Sequence, residues 1–137
     1  MARDTVTVLL PTTDVTKSVQ VGEIVKTAVT QANGINIANA FKNKNNSLEI
    51  FVENTTTASN VAAASTLTIK KGDKYPNSML GDLTVAIGAG KTVAIECLDM
   101  SRFEKTDGSV DLDFASGFTG NVWAVAKRAG ILPANLQ

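Results

Sequence analysis

The chain contains no histidine, and this absence removes several classes of catalytic and metal site. Of its 137 residues one is cysteine, Cys97. Without histidine, Ser-His-Asp and Cys-His catalysis are excluded, and so are the usual zinc sites. The commonest general base near neutral pH is missing as well. A single cysteine also rules out a disulfide-stapled scaffold. We therefore expect a protein that is not an enzyme and that carries no cofactor and no metal.

Excess charge, aromatic residues and long apolar runs are also lacking. The 13 basic and 13 acidic side chains give zero net charge, and aromatics make up 5% of the chain. A nucleic-acid binder needs clustered Lys and Arg, or aromatic platforms for single strands. No run approaches the roughly 20 apolar residues of a membrane span, and the first residues lack the apolar core of a signal peptide. We expect a protein made in a cytoplasm, with neither nucleic acid nor membrane as a partner.

Short apolar–polar alternation is what the chain has in abundance. Alternation with period two, bounded by Gly, Asn, Asp and Pro, is typical of half-buried antiparallel strands. Six such runs occupy residues 47–54, 66–72, 83–88, 92–98, 110–114 and 120–128. Their spacing predicts an all-β, antiparallel β-sandwich or barrel rather than βαβ units. The length predicts a single domain, residues 1–137, with its core strands in 45–128.

The first third of the chain is less regular. Residues 5–10 predict a terminal strand, and Pro11 with the polar residues after it predicts a loose arm, so that 1–20 form an N-terminal strand and arm. In residues 19–31 the apolar spacing fits a helix, but the β-branched residues and Gly22 oppose one, and a strand is favoured. Residues 129–137 are interpreted as a short C-terminal tail that frays or docks on a partner.

Several short segments predict turns and loops. Asn33-Gly34 predicts a hairpin between the runs on either side of it, because both residues tolerate positive φ. Residues 88–91, GAGK, predict a tight hairpin between two clear strands, and Asp107-Gly108 predicts a further turn. The small, polar residues 55–65 are interpreted as a mobile surface loop.

Two motifs invite a chemical interpretation. Gly90-Lys91-Thr92 resembles the end of a phosphate-binding loop, but Val85 stands where the pattern needs glycine and a strand follows where it needs a helix. Asp111 and Asp113 lie two apart on one strand face, as Ca²⁺ ligands can. Since the residues between them need the core, a solvated strand face is favoured.

Two residues within the alternating runs, Cys97 and Trp123, have alternative interpretations. Cys97 alternates with apolar residues and is predicted to be a buried hydrophobe rather than a nucleophile. Trp123 belongs to a run with apolar residues on both faces, which predicts either a central strand or a strand covered by a partner subunit. Core packing is the favoured interpretation.

Large apolar residues also occur in predicted loops. Tyr75, Pro76, Met79 and Phe103 have no core strand to join, so they are candidates for an interface, and collapse onto their own domain is the equal alternative.

From Leu48 onward the sequence resembles a known group of proteins. The matching stretches are LEIFVEN, TLTIKKGDKYP and the long run from Leu80 to Phe114. Five motifs in order carry the likeness: Glu53-Asn54, Gly72-Asp73, Gly81-Asp82, Ser101-Arg102-Phe103 and Asp107-Gly108. Over roughly residues 45–128 the chain is similar to small structural proteins of tailed bacteriophages, the minor capsid or head-decoration proteins.

The resemblance implies a jelly-roll-like β-sandwich on the outer surface of a phage head, made in the host cytoplasm. It implies a homo-oligomer, with a trimer favoured, and the major capsid protein as partner. For such a role the candidate interface residues are Arg3 and Asp4 on the arm, Tyr75, Pro76 and Met79 in one loop, Arg102 and Phe103 in another, and Ile131 and Leu132 in the tail.

Two other functions compete with this one. A carbohydrate- or host-surface-binding β-sandwich would present aromatics aligned on one face, and outside five phenylalanines only Trp123 and Tyr75 are available. A small hydrolase or isomerase with a carboxylate base would need paired acids in apolar surroundings, and the sequence has none. Both are less favoured than the decoration protein.

Overall fold

The computed structural model describes residues 2–10, 12–14, 19–40, 46–96 and 100–128. Within them the chain forms thirteen strands and two short helical turns. The strands are β1 (Asp4–Thr7), β2 (Thr12–Asp14), β3 (Val19–Val21), β4 (Thr27–Ala28), β5 (Ile35–Ala38), β6 (Asn46–Asn54), β7 (Thr57–Ala58), β8 (Val61–Ala62), β9 (Ser65–Ile69), β10 (Leu83–Ile87), β11 (Thr92–Glu96), β12 (Val110–Phe114) and β13 (Gly120–Arg128). The helical turns are a 3₁₀ helix at Asn77–Leu80 and α1 at Met100–Phe103. The prediction of an all-β chain is confirmed.

The strands assemble into two larger sheets and two hairpins. One sheet has five strands in the order β1-β5-β12-β9-β10, and the other has four in the order β11-β6-β13-β4. The pairs β2-β3 and β7-β8 stand by themselves. No helix in the described ranges is both long enough and apolar enough to cross a membrane.

The core is built from the alternating residues that the sequence indicates. In β12 the side chains of Val110, Leu112 and Phe114 are buried, while Asp111 and Asp113 lie on the opposite face. Buried residues of β1, β5, β6, β9, β10 and β13 join the same cluster, and half-buried Val93 and Ile95 of β11 pack against it. Each fully buried Val, Leu or Ile side chain contributes about 1.5–3 kcal/mol relative to an exposed one. Successive strand residues point to opposite faces, so this cluster fixes the register of both sheets.

Two turns are where the sequence predicts them, but they do not make hairpins. Gly90 has φ +67°, and the Lys91 amide donates to the Gly88 carbonyl at 3.1 Å. The strands on either side, β10 and β11, belong to different sheets. Gly34, with φ +72°, likewise separates β4 of the four-stranded sheet from β5 of the five-stranded one. The two turns are predicted correctly, but the prediction that each joins two paired strands is wrong. A tight turn can also connect strands of different sheets, and both of these turns do so.

The first strand departs from the antiparallel expectation. β1 pairs with β5 in parallel, from Asp4 opposite Ile35 to Thr7 opposite Ala38. Beyond β1, Leu9 bridges to Val125 of β13, also in parallel. Between β1 and β5 the chain contributes β4 to the other sheet. This crossover connection allows β5 to run in the same direction as β1. The other strand pairings of the described residues are antiparallel.

The ambiguous segment 19–31 is neither one helix nor one strand. It contains β3 and β4 at its two ends, with residues 22–26 in no regular element between them. Gly22 lies against Leu9, and a Cβ added there would stand 3.0 Å from the Leu9 Cδ1 atom. Glycine at this position lets the segment pack closely on the Leu9 side chain.

Within residues 55–65, predicted as a mobile surface loop, residues 57–62 form a small hairpin. β7 and β8 pair across Ser59 and Asn60, which both have positive φ, as a type I′ turn requires. The preceding residue Asn54 is 1% exposed, and its side-chain Nδ2 donates to the carbonyls of Ala63, Ile87 and Gly88 at 2.9, 3.3 and 3.1 Å. Asn54 therefore joins the hairpin to the turn between the two sheets.

We expect Asn54→Ala to lower the free energy of unfolding by about 2–3 kcal/mol. The substitution leaves buried carbonyls without a donor, and the Thr56 amide loses the Asn54 Oδ1 acceptor at 2.9 Å. Urea unfolding followed by circular dichroism measures the change. Thr57→Ala, at an exposed position of β7, is the control and is expected to stay within about 0.5 kcal/mol of the parent. Equal stability of the two variants would contradict the role assigned to Asn54.

Candidate functional site

An exposed apolar surface lies at one end of the five-stranded sheet, around the 3₁₀ helix. Tyr75 is 80% exposed and Met79 is 72% exposed, and Leu80 and Leu83 are exposed beside them. Pro76, in cis after Tyr75, is exposed as well. We call these five residues the 75–83 patch. Scattered apolar residues on a surface are ordinary, whereas five exposed ones between residues 75 and 83 are typical of a contact surface.

The loop that carries the patch is held against the segment around α1. The Gly72 amide donates to the Arg102 carbonyl at 2.8 Å, and the Asp73 amide donates to the Glu104 carbonyl at 3.2 Å. A Cβ on Gly72 would stand 2.1 Å from the Glu104 carbonyl oxygen, so only glycine allows this approach. The Lys74 ammonium pairs with the Glu104 carboxylate at 2.6 Å. The start of the loop is thereby fixed.

Arg102 fixes the other end of the loop. Its Nε donates to the Gly81 carbonyl at 3.1 Å, and one terminal nitrogen lies 3.3 Å from the Asp82 carbonyl and 3.4 Å from the Leu80 carbonyl. The guanidinium also lies over the Phe103 ring, 4.9 Å from its centroid. One planar cation thus gathers the carbonyls that follow the 3₁₀ helix. Arg102, predicted as an interface residue, supports the patch from beneath.

Asp82 completes this support. Its carboxylate accepts from the Lys70 ammonium at 2.7 Å and from the Lys71 amide at 2.8 Å. The hydrogen bond from Lys70, followed by the one from Lys71, lowers the pKa of Asp82 from its ordinary 3.8. The same ion pair raises the pKa of Lys70. The Asp82 carboxylate is therefore stabilised in its charged form at the point where the loop enters β10.

We expect the support of the patch to weaken in acid. The folded pKa of Asp82 lies below its unfolded value, so this stabilisation is fully present above the unfolded pKa and is lost as the pH falls through the folded pKa. Unfolding measurements on the parent and on Asp82→Asn should show the parent more stable at neutral pH. The two curves should converge below about pH 3.8. A constant difference across that range would contradict the assignment.

Phe103 belongs to the core, so its assignment to an interface is corrected. The side chain is 7% exposed and joins the buried cluster beneath α1. It reaches that cluster because α1 packs on the 3₁₀ helix, where Asn77 donates a hydrogen bond to the Ser101 hydroxyl. Of the two loop aromatics predicted together, Tyr75 is on the surface and Phe103 is inside.

Arg3 is bound within its own sheet rather than presented on an arm. Its guanidinium lies 2.5 Å from the Asp113 carboxylate and 3.4 Å from that of Asp111, and it donates to the Leu112 carbonyl at 2.9 Å. Burial lowers the pKa of Arg3, but the hydrogen bond to Asp113 and the charges of both aspartates outweigh burial and raise it. Asp4 accepts a hydrogen bond from the Asn33 amide at 3.1 Å. These bonds fasten β1 to the sheet.

The Asp111 and Asp113 carboxylates are engaged by cationic side chains. Besides Arg3, the Lys105 ammonium lies 3.1 Å from Asp111 and the Lys70 ammonium lies 3.9 Å from Asp113. The favoured interpretation of a charged outer strand face fits this arrangement. Among the described residues there is no group of three or more acidic, histidine or cysteine side chains placed to hold a metal ion.

Trp123 lies on the outer face of the four-stranded sheet, so its expected place in the core is corrected. The neighbours Val122 and Ala124 are buried, whereas Trp123 is half-buried on the opposite face. Its ring stacks on Phe51 of β6 at 5.6 Å, and the Lys26 ammonium lies 4.9 Å above it. The strand itself is interior, between β6 and β4, as the alternative of a central strand predicts.

Three predicted residues lie outside the described residues: Cys97 and the candidate interface residues Ile131 and Leu132. Two members of the 75–83 patch, Leu80 and Leu83, were not predicted. The signal for Leu80 is the apolar pair Met79-Leu80 directly before Gly81. Leu83 begins the alternating run of β10, so nothing in the sequence indicated its exposure.

The site is a preformed apolar surface with a supporting set of charges. The patch itself contributes contact area, while Arg102, Lys70 and Asp82 hold its backbone in place. No family model matches this chain, and neither does any curated protein or solved structure.

Proposed function

We propose that this chain is a structural protein of a tailed-phage virion that decorates and stabilises the outside of the capsid. The 75–83 patch is the surface that contacts the shell. An exposed apolar surface whose backbone is held by hydrogen bonds and ion pairs loses little conformational entropy on binding. That property suits a protein whose function is its interfaces. The major capsid protein is the partner, and the protein is made in the host cytoplasm.

The observation that carries the proposal is the position in space of four of the five resemblance motifs; the fifth, Glu53-Asn54, lies at the end of β6 in the other sheet. Gly72-Asp73, Gly81-Asp82 and Ser101-Arg102-Phe103 are separated in sequence, yet direct hydrogen bonds join them around the 75–83 patch. Asp107-Gly108 adjoins this group, since the Asp73 carboxylate accepts from the Thr106 amide at 3.1 Å. Motifs that build one surface together support a shared role for that surface.

The finer architecture belongs to the same proposal. We propose that the two larger sheets pack face to face as a jelly-roll-like β-sandwich, which the single buried cluster fed by both sheets supports. Three copies assemble around a symmetry axis of the head. Such an assembly would place three copies of the patch against the shell and multiply a modest affinity.

A carbohydrate- or host-surface-binding module is the second candidate, and one observation favours it. Phe51 and Trp123 form a stacked pair on an outer sheet face, beside Glu53 and Asn121. Those polar groups already satisfy one another: Asn121 and then Lys26 hydrogen-bond to Glu53 and lower its carboxyl pKa. The Lys26 ammonium also lies over the Trp123 ring, so side chains of the protein itself already contact the aromatic pair that a sugar would stack on. The decoration role is therefore preferred.

The proposal is tested by the resistance of phage heads to heat. Heads of a phage that encodes the chain are stripped of the protein, and purified protein is added back to one half. Release of DNA on heating is followed with a fluorescent dye. The decoration role predicts release at a higher temperature from the heads that received protein. Identical release curves would contradict a stabilising role.

A further inference from the structure

The five-stranded sheet ends in an unpaired strand edge at β10. On one side β10 pairs with β9, from Leu83 opposite Ile69 to Ile87 opposite Ser65. On the other side no strand of the described residues pairs with it, and β10 is the last strand in the order of its sheet. Ala86, in the middle of this edge, is exposed. The edge is therefore open to solvent.

The hydrogen bonds of β9 show which backbone groups of β10 lie on the open edge. The Lys70 amide, directly after β9, donates to the Asp111 carbonyl of β12 at 2.9 Å. Successive strand residues direct their backbone groups to opposite edges, so the even-numbered residues here face β12 and the odd-numbered ones face β10. Odd-numbered residues of β9 lie opposite odd-numbered residues of β10. The N–H and C=O groups of Thr84 and Ala86 therefore point to the open edge.

β10 lacks the features that usually protect an edge strand. Natural edge strands are commonly very short, or they carry charged residues or proline. Three of the four edge strands that the described residues give the two larger sheets fit this rule: β1 carries Asp4, β11 carries Glu96, and β4 has two residues. β10 has the sequence LTVAI, five residues without charge or proline. It is the edge that is best suited to pair with another strand.

β10 is complementary to a second copy of itself. Antiparallel pairing about a two-fold axis at Val85 places Thr84 of each copy opposite Ala86 of the other. These are the residues whose backbone groups point to the open edge, and each such pair can exchange two N–H···O bonds. No charged side chain of the strand meets another in this register, because β10 has none.

The same register covers apolar side chains that the single chain leaves partly open. Val85 is half-buried against the core cluster, and Leu83 is 40% exposed. Val85 would lie opposite Val85 of the second copy, in a non-hydrogen-bonded pair with Cα atoms about 4.5 Å apart. Leu83 would lie opposite Ile87. Apolar pairs placed directly opposite each other stabilise a sheet.

Opposite charges stand at the two ends of the paired strands. Asp82 precedes β10, and in this register it lies opposite Gly88 of the second copy. The Lys91 side chain lies against Gly88, since a Cβ added to Gly88 would stand 3.2 Å from the Lys91 Cγ atom. Asp82 already pairs with Lys70 of its own chain at 2.7 Å. Lys91 of the second copy would approach it as a second cation, and the two-fold axis repeats this contact at the other end.

We propose that β10 pairs antiparallel with β10 of a second copy, so that two five-stranded sheets join into one continuous sheet. The contact is two-fold, with the same residues on both sides, and it is distinct from the three-copy assembly proposed above. The other members of the 75–83 patch precede β10 and take no part in the pairing. The inference does not depend on the decoration function, because it concerns the protein alone and its test uses no phage heads.

Ala86→Pro tests the pairing through the backbone. Proline removes the N–H that the second copy needs, and its ring occupies the open edge. The single chain should tolerate the change, because proline is accepted in edge strands where the N–H faces solvent. We expect Ala86→Pro to reduce the molar mass, measured by light scattering, to about half that of the parent at the same protein concentration. Equal masses for Ala86→Pro and the parent would overturn the proposal.

Ala94→Pro is the matched control, at an exposed residue of the edge strand β11. The Lys91 carbonyl accepts from the Asn54 amide of β6 at 2.9 Å. The odd-numbered residues of β11 therefore face β6, and the N–H of Ala94 faces solvent as that of Ala86 does. The control should keep the molar mass of the parent, and a halved mass for both variants would contradict the assignment to β10.

A cysteine on the two-fold axis tests the register and does not rely on the proline variants. In a Cys97→Ala background, Val85→Cys would bring two thiols together on facing residues of the two copies. Oxidised glutathione is expected to crosslink Val85→Cys roughly tenfold faster than Ala94→Cys, because the facing Cα atoms lie within the range of a disulfide. Residue 94 is the more exposed of the two, so exposure alone favours the opposite order. Crosslinking of Val85→Cys no faster than that of Ala94→Cys would overturn the proposed pairing.

Discussion

Replacing Phe103 with alanine is expected to lower the free energy of unfolding by about 3–5 kcal/mol. The side chain is 7% exposed and packs in the buried cluster, so truncation removes apolar contacts and leaves a cavity. Arg102 would also lose the ring beneath its guanidinium. Chemical denaturation of the parent and the variant measures the difference.

Tyr75→Ala is the matched control for this substitution, since it truncates an aromatic side chain in the neighbouring loop. Tyr75 is 80% exposed, and its replacement should change stability by no more than about 0.5 kcal/mol. This pair of results would show that Phe103 stabilises the fold and that Tyr75 is available for binding. Similar losses for both variants would contradict this separation.

Replacing Met79 with glutamate is expected to weaken binding to phage heads by about 2–4 kcal/mol, or roughly 30- to 1000-fold. The change buries a charge in an interface that is proposed to be apolar, while Met79 is so exposed that the fold should not change. Sedimentation of the variant with heads over a range of protein concentrations gives the loss of affinity.

Val61→Glu is the matched control for Met79→Glu. Val61 is 67% exposed and lies in the β7-β8 hairpin. This hairpin leads into β9 at Ser65, whereas the patch adjoins the other end of β9, where Ile69 pairs with Leu83. The same charge placed there should leave binding to heads unchanged. Equal binding by Met79→Glu and the parent would remove the 75–83 patch from the contact with the shell.

The alternation of apolar residues predicted the six longer strands from residue 46 onward, β6 and β9 to β13. β12 illustrates the reason: Val110, Leu112 and Phe114 must share one face because successive strand residues point in opposite directions. Local sequence contains this alternation. It does not contain the partner of each strand. The hairpin that residues 88–91 predict is therefore wrong, because β10 and β11 belong to different sheets.

Long-range contacts account for the remaining differences. The hydrogen bond from Arg3 to Asp113 joins residues 110 positions apart. The sequence around either residue gives no indication that the two are partners. The burial of Phe103 likewise depends on how α1 packs against a loop near residue 72. The hairpin of residues 57–62 has only two residues in each strand, too few for an alternation to be visible.

The candidate site could be predicted in part. Tyr75, Pro76 and Met79 were identified from their loop, and the structure brings them together with Leu80 and Leu83. The role of Arg102 as a support could not be predicted, because it depends on three carbonyls about twenty residues away in sequence. Turn motifs indicated where the chain bends, and only the fold reveals that they meet.

The measurement that tests the central claim most directly is co-sedimentation of the purified protein with mature heads from which it has been stripped. The decoration role predicts saturable binding, at a fixed ratio of this chain to the major capsid subunit. No pelleting above the background of protein alone would contradict it.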